Sequence, residues 1–454
     1  MRILCKWSTA WVFVAVFLLW RFGFPEVLSF HEQQQLFLFT TDYFLSRMAE
    51  PGGVARYVAE FIVQYYNNFN LGAILLASLV ALAQWLTSRI AMRHCTDTTM
   101  AMVLSLLLSS LIVGIMGDAD VMTSFIVSLD FCLLGIMLLP KSYNGMAGCS
   151  LALIPIGYWI AGPVMYVFAL YVLTCLWMEE DSHWKPLATG CVLLVEVLLI
   201  VLGSQWLTDY PLERLVRGID YYRYPMNMVP YGWAIFVVAL YPLVAYFKNY
   251  EWALRAAICA VALSVAGITS SFKRDYYEQM EYDLLVRMQR WNAIIKKANE
   301  KEPKHSSCSL ALGLALCKTG MISTEQFASQ IHPKDMGRDR FSASVLGESY
   351  YHLGLVNTAR RYAFEQMESI TNYNRSGRLL KRLAETALVS GHRRLTRTYL
   401  NILRNTTFYS TWADETIALL NDSKALESHP VYGRLLYSFP QKDLILYSSK
   451  KYQK

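Results

Sequence analysis

The chain alternates long apolar runs with short polar loops through about residue 270, then changes to an amphipathic pattern of helical period. Runs long enough, or nearly so, to cross a hydrocarbon core fall at about 8–24, 71–91, 100–117, 121–140, 187–203, 229–247 and 253–270. The stretch from Met146 to Trp177 is too long for one crossing and is interrupted by Ala161-Gly162-Pro163. Such a break stops a helix, so two short helices meeting there are expected. The pattern predicts an all-α protein: a transmembrane bundle of about nine spans over residues 1–272, then a soluble helical domain over 273–454.

One segment breaks the alternation. "FHEQQQLFLFTTDYFLSRMAEPGGVARYVAEFIVQYYNN", Phe30 to Asn68, is too polar to cross a bilayer and too apolar for an ordinary loop. Between Glu32 and Met48, Leu36, Phe37, Phe39, Phe44, Leu45 and Met48 fit one helix, which Pro51-Gly52-Gly53 ends. Val54, Tyr57, Val58, Phe61, Ile62 and Tyr65 then recur at i, i+3, i+4 spacing. Two interfacial helices within 30–68, hinged at the Pro-Gly-Gly, are expected; packing over the bundle is the plainer alternative.

From about Asp275 a helix, a Gly-containing turn and a second helix recur, with turns at Gly320, Gly354 and Gly391. "HLGLVNTARRYAFEQM" aligns with "VSGHRRLTRTYLNILR", setting Ala359 over Thr396 and Tyr362 over Tyr399. A period near 34 with a small residue and then an aromatic resembles tetratricopeptide repeats. Tyr282 and Trp291 fit an earlier, degenerate unit. The resemblance implies a curved α-solenoid whose concave face binds a peptide or protein, or which simply braces the membrane part. The tail from Ser438, with Lys442, Lys450, Lys451 and Lys454, reads as a basic, frayed end.

Charge sharpens the division. Residues 1–272 hold 14 Lys/Arg against 17 Asp/Glu, and the remainder 28 against 18, a net of +10 within the chain's +7. A basic soluble part suits anionic lipid headgroups, phosphorylated glycolipids or an acidic partner, or is a plain solvated surface. Short-loop bases orient the spans. Arg2, Lys6, Arg89, Arg93, Lys141, Lys185, Lys248 and Arg255 fall on one side, and Arg47, Arg56, Arg214, Arg217 and Arg223 on the other. An uncleaved N-terminal anchor with a cytoplasmic N-terminus follows, and nine spans then put the soluble domain in the periplasm of a bacterial inner membrane. Cys308 and Cys317, the only cysteines of the soluble part, would stand ~13 Å apart on one helix, too far to bridge. No zinc spacing, Walker loop, HExxH, GxSxG or dinucleotide fingerprint occurs, and nothing points to nucleic acid.

A first span followed by an outer loop of two interfacial helices, with the acid of His31-Glu32-Gln33 just past the membrane, resembles the GT-C superfamily. These are multi-spanning glycosyltransferases that use polyprenyl-phosphate-linked donors. The resemblance implies Glu32, or else Asp42, as catalytic base or metal ligand. It also implies Asp118 and Asp120 of Asp118-Ala119-Asp120, between the third and fourth spans, as ligands of a divalent cation such as Mg²⁺ or Mn²⁺. His precedes the first-loop acid where a second acid is usual. The whole chain also resembles a bacterial membrane-protein family that joins such a bundle to periplasmic helical repeats.

Chemical reasoning supplies further candidates. Sugar transfer from a lipid phosphate needs a base and positive charge at the departing phosphate. The loop "SQWLTDYPLERLVRGIDYYRYPMNMVP" sets Arg214, Arg217 and Arg223 among aromatics, suiting phosphate oxygens and sugar faces or a plain interfacial belt. Lys273 and Arg274 past the last span add charge. Asp130 and Glu196 lie inside spans, where an ionisable group is expensive, and they support a transporter as a third reading. The leading expectation is a glycosyltransferase acting on membrane lipids, a polyprenyl-linked glycan and a periplasmic acceptor, protein included. The rival is a non-catalytic, membrane-anchored scaffold whose repeats bind envelope proteins.

Overall fold

A computed structural model describes residues 2–95, 97–179, 184–219, 221, 232–246, 250–271, 274–337, 339–371 and 374–436. Every regular element among the described residues is helical. Contacts divide the chain into two units: Met1–Leu28 with Thr41–Lys273, and Ser29–Thr40 with Arg274–Lys454.

In the first unit α1 (Arg2–Leu18) continues through a π-helical turn to Gly23, and α2 (Pro25–Glu32) leaves it at a bend of 81°. Gly23-Phe24-Pro25 makes the bend, since Pro fits a first helical turn and cannot continue the helix before it. Residues 33–40 form no helix, then α3 (Thr41–Met48) and α4 (Gly53–Val63) follow. The helix expected from Glu32 to Met48 is therefore corrected to the end of α2, a non-helical stretch and the short helix α3; the second expected helix is α4.

The apolar helices come next: α5 (Phe69–Ala91), α6 (Thr98–Met116), α7 (Thr123–Leu138), α8 (Tyr143–Ala161), α9 (Met165–Glu179) and α10 (Trp184–Leu207). A short α11 (Leu212–Arg217), a 3-10 stretch over Gly232–Tyr246 and α12 (Tyr250–Ser271) complete the unit. Among the described residues four helical runs are long and apolar enough to cross a membrane: Phe69–Ala91, Thr98–Met116, Tyr143–Met178 and Trp184–Leu207. A fifth is added if the bent pair Trp7–Gly23 and Pro25–Glu32 counts as one. Tyr143–Met178 is 36 residues long, about 54 Å if straight. It is instead broken at Gly162, whose φ of +69° ends α8. Past the break α9 packs back on α8 and α7; the Cys132 thiol of α7 lies 3.6 Å from the Val164 carbonyl at the break, and Tyr171 of α9 lies 2.7 Å from His94, just past α5.

Polar groups tie these helices where apolar packing alone would let them slide. Gln84 of α5 donates to Ser8 of α1 at 3.2 Å and to Ser105 of α6 at 2.9 Å. Arg93, just past α5, donates to the carbonyls of Ile136 and Leu139 at the end of α7, which its positive charge also suits.

In the second unit α13 (Arg274–Arg287), α14 (Trp291–Glu300), α15 (Ser306–Lys318), α16 (Thr324–Ser329), α17 (Arg340–His352), α18 (Val356–Glu368), α19 (Gly377–Val389), α20 (Arg393–Leu403), α21 (Ser410–Asn421) and α22 (Ser423–Ser428) follow in order. From α17 to α22 each packs on the next. One turn repeats: Gly320, Gly354 and Gly391 have φ of +75°, +79° and +73°. After each, the next residue's N–H reaches back five positions, as Leu355 to Tyr350 and His392 to Ala387. This double cap needs a left-handed residue, and glycine adopts that conformation without a Cβ clash. Ala359 and Thr396, the aligned small residues, are both fully buried.

Candidate functional site

Two buried charge networks stand out, one in each unit. In the first unit Glu60 of α4 is 1% exposed, yet it is ionised between two arginines. Arg47 Nε lies 2.9 Å from one of its oxygens and Arg56 Nε 3.0 Å from the other. Tyr43 donates to the same carboxylate, and the Arg47 guanidinium stacks 4.6 Å over the Tyr43 ring. Burial alone would raise the Glu60 carboxyl, but Arg56 and Arg47 hold it below the usual range. Arg56 also binds Glu50 at 2.7 Å, and Tyr210 reaches Glu50 at 3.4 Å. Two positive and two negative groups cancel, so the network fastens α3 to α4.

The hinge between these helices is seated on the other backbone break. Gly52 donates to the carbonyls of Tyr158 and Trp159, and Trp159 Nε1 donates to the Met48 carbonyl at 2.9 Å. A Cβ on Gly52 would stand 3.4 Å from Gly162 Cα. Tyr221 closes the junction: its hydroxyl accepts from Val164 N–H at 3.0 Å and donates to the Ala161 carbonyl. Both backbone groups lost at the break are thereby satisfied.

In the second unit seven charged side chains from α2, α13, α17 and α19 form a ladder. Glu32 meets Arg287 at 2.6 Å; Asp283 meets Arg378 at 3.0 Å; Glu348 meets Arg378 at 3.3 Å and Arg382 at 2.7 Å; Arg382 meets Glu385 at 2.8 Å. Arg287 also donates to Ser29, and Arg378 to Gln33 at 3.0 Å. Burial would raise the Glu348 carboxyl; Arg382 and Arg378 outweigh it and bring it down to about 2. Burial, with Glu32 beside it, pushes the Tyr409 hydroxyl well above its usual value.

Through this ladder run residues 29–40. Phe30 stacks on Phe341 and meets Tyr276 edge-on, with the Arg340 guanidinium 4.7 Å over its ring. Glu32 and Gln33 take Arg287 and Arg378. Leu36 packs on Leu380, Ala384, Leu400 and Leu403, and Phe39 N–H donates to the Asn405 carbonyl at 2.9 Å. The helical array holds a stretch from the far end of the sequence residue by residue.

The residues singled out in the sequence are placed as follows. Glu32 is buried and ion-paired in the second unit. Asp42 is exposed in the first turn of α3. Asp118 accepts from the Asp120 backbone N–H at 3.0 Å, closing the turn between α6 and α7. Arg214 is buried, donating at 2.6 Å to the Ile219 carbonyl, and Arg217 pairs with Glu213 of its own helix at 2.7 Å. Arg223 and Lys273 lie outside the described residues, as does the Arg274 side chain; the tail from Ser438 lies outside them too. Asp130 is buried in α7 with neither oxygen hydrogen-bonded, and one Glu196 oxygen likewise lacks a partner. Among the described residues no three His, Cys, Asp or Glu side chains converge where they could hold a metal ion. The second network was not foreseen, because its partners lie in separate stretches of sequence.

The chain belongs to a family of unknown function (DUF6057), whose model matches residues 2–454. No curated protein and no solved structure matches it.

Proposed function

For a member of that family built in this way, we propose a non-catalytic, membrane-anchored scaffold: a bundle of about nine spans carrying a tetratricopeptide-like array that binds envelope proteins in the bacterial periplasm. One observation carries the reading. The array holds residues 29–40 through an aromatic cluster, two arginines, a leucine seat and a backbone bond, the contacts by which helical repeats grip an extended partner. Side chains with expected chemical roles are spent on structure: Glu32 on Arg287, Asp118 on its own turn, Arg214 on the Ile219 carbonyl.

The same observation supports the span count. Residues 29–40 and 274–436 form one unit, so on this reading the chain crosses an even number of times between Thr41 and Lys273. Eight helical segments, α5 to α10, the 3-10 stretch and α12, lie between them.

A second reading is kept for a specific reason. Two amphipathic helices, α3 and α4, follow the first apolar helix, with the exposed carboxylate of Asp42 at their start. That is the layout of a GT-C glycosyltransferase using a polyprenyl-linked donor, with Asp118 and Asp120 as ligands of a divalent cation. The discriminating experiment compares envelope glycans in a deletion strain rescued with wild type, Asp42→Asn or an Asp118→Ala/Asp120→Ala double variant. The scaffold reading expects full rescue by both variants. Loss of a glycan product in either, at normal protein level, would replace it with the enzyme.

A further inference from the structure

We infer that the groove along α13, α17, α19 and α20 is a receptor for one polypeptide segment, a helical turn that runs into a non-helical stretch, kept closed by its own ligand, residues 29–40. It accepts an outside segment of the same chemistry only when this one is withdrawn. That chemistry is an aromatic, a Glu-Gln pair two and three residues on, a leucine six on and a backbone N–H nine on. The inference rests on the scaffold reading and names its partner class.

Three features mark the segment as a ligand. Its first four residues end α2 and 33–40 form no helix, so past Glu32 it is held by its contacts with the array. It is also foreign to the array in sequence: α13 to α22 follow one another from Arg274, whereas Ser29–Thr40 precedes them by the whole of residues 41–273. Finally, the recognition is chemically selective. Arg287 and Arg378 require an acid and an amide in adjacent positions. Phe341, Tyr276 and Arg340 require an aromatic two residues earlier.

A tethered ligand also wins by arithmetic. The segment is tied to its site through residues 41–273, and a ligand whose tether lets it reach its site acts at an effective concentration of up to about millimolar. An outside segment that binds the open groove with a Kd of about 10 µM then binds the closed one roughly 100-fold more weakly. A groove of this kind is silent in the resting protein.

The test uses the full chain in nanodiscs and a fluorescent peptide of the sequence SFHEQQQLFLFT. Residues 29–40 are replaced in one variant by a Gly/Ser stretch of equal length. Peptide affinity should be at least about 100-fold tighter for this variant than for wild type. It should drop at least tenfold when the peptide carries Glu32→Lys. Equal affinity for both chains, or indifference to Glu32→Lys, overturns the inference. If the replaced variant lacks a cooperative unfolding transition, the Glu32→Arg chain takes its place. That chain should bind the unaltered peptide at least tenfold more tightly than wild type, and wild-type binding there overturns the inference equally. Glycan loss in the Asp42 or Asp118/Asp120 variants would sink the scaffold reading while leaving these titrations unaffected, so the two failures are distinguishable.

Discussion

Glu32→Gln separates a structural from a catalytic Glu32 in one measurement. The carboxylate is 6% exposed and 2.6 Å from Arg287, itself tied to Ser29 at 2.8 Å. Removing one partner of a buried ion pair leaves the other charge uncompensated, at a cost of about 3–5 kcal/mol. Glutamine is isosteric and still accepts one bond from the guanidinium, so the lower end, about 3 kcal/mol, is expected. For a unit of this size each kcal/mol moves the unfolding midpoint by about 2–4 °C, which makes the shift roughly 6–12 °C. Circular dichroism of the detergent-solubilised chain reads it, and Trp291 and Trp412 give a fluorescence signal from the same unit. Arg287→Met removes the uncompensated charge, so the double variant should lose less than the two single losses combined, by about 1–3 kcal/mol of coupling. A midpoint within about 1 °C of wild type, together with loss of a glycan product, would show that Glu32 is held for reaction and that the ladder is dispensable.

The remaining predictions concern single groups. Glu348 is depressed to about 2 in the folded chain, against about 4.3 when unfolded. A depressed carboxyl stabilises above its unfolded pKa and loses that contribution as pH falls through the folded one. Melting of the second unit should therefore weaken between about pH 5 and pH 2, by about 3 kcal/mol, and Glu348→Gln should flatten this pH dependence. Tyr221→Phe strands the Val164 N–H and the Ala161 carbonyl and should cost about 1–3 kcal/mol, read as a lower midpoint with unchanged helix content. Gly391→Ala meets nothing within 4 Å, so only its φ of +73° is penalised; about 1 kcal/mol is expected. Gly52→Ala meets Gly162 at 3.4 Å, an ordinary contact distance, so its φ of +78° sets a similar cost of about 1 kcal/mol; a loss several times that at Gly391 would refute the reasoning.

Much of the helical layout was legible because helix signals are local. Apolar runs fix where α5 to α10 lie, Ala161-Gly162-Pro163 marks the break between α8 and α9, and spaced glycines mark the turns at Gly320, Gly354 and Gly391. The misreading of 33–40 has a physical cause. Leu36, Phe37 and Phe39 are compatible with helical spacing, but that spacing is ambiguous over a few residues. Tertiary contacts decided the matter: Leu36 is drawn onto Leu380 and Leu400, and Phe39 N–H onto the Asn405 carbonyl. No window of sequence around Leu36 contains those partners.

The charged residues show the same limit more sharply. Reading along the chain, Glu32 looked like a lone acid past a membrane exit, and Arg378 and Arg382 like part of a solvated basic surface. In the fold Glu32 pairs with Arg287, and Arg378 and Arg382 pair with Asp283, Glu348 and Glu385, while the neighbouring Ser29 and Gln33 bond to Arg287 and Arg378 across 258 and 345 residues. Net charge of a stretch thus says little about the charge its surface presents. Part of the +10 of residues 273–454 is spent internally on Glu32, Asp283, Glu348 and Glu385. The first network differs in that its ion pairs are local, with Tyr210 alone reaching in from afar. Arg56 and Glu60 are four apart on one helix face, a spacing that marks an ion pair in advance. The apolar stripe of Val54, Tyr57, Val58, Phe61 and Ile62 stays partly exposed, and the face that carries Ala55, Arg56, Ala59, Glu60 and Val63 is the buried one. Opposite charges four apart among small residues are where a buried pair should be sought first, ahead of acids chosen for their distance from the membrane.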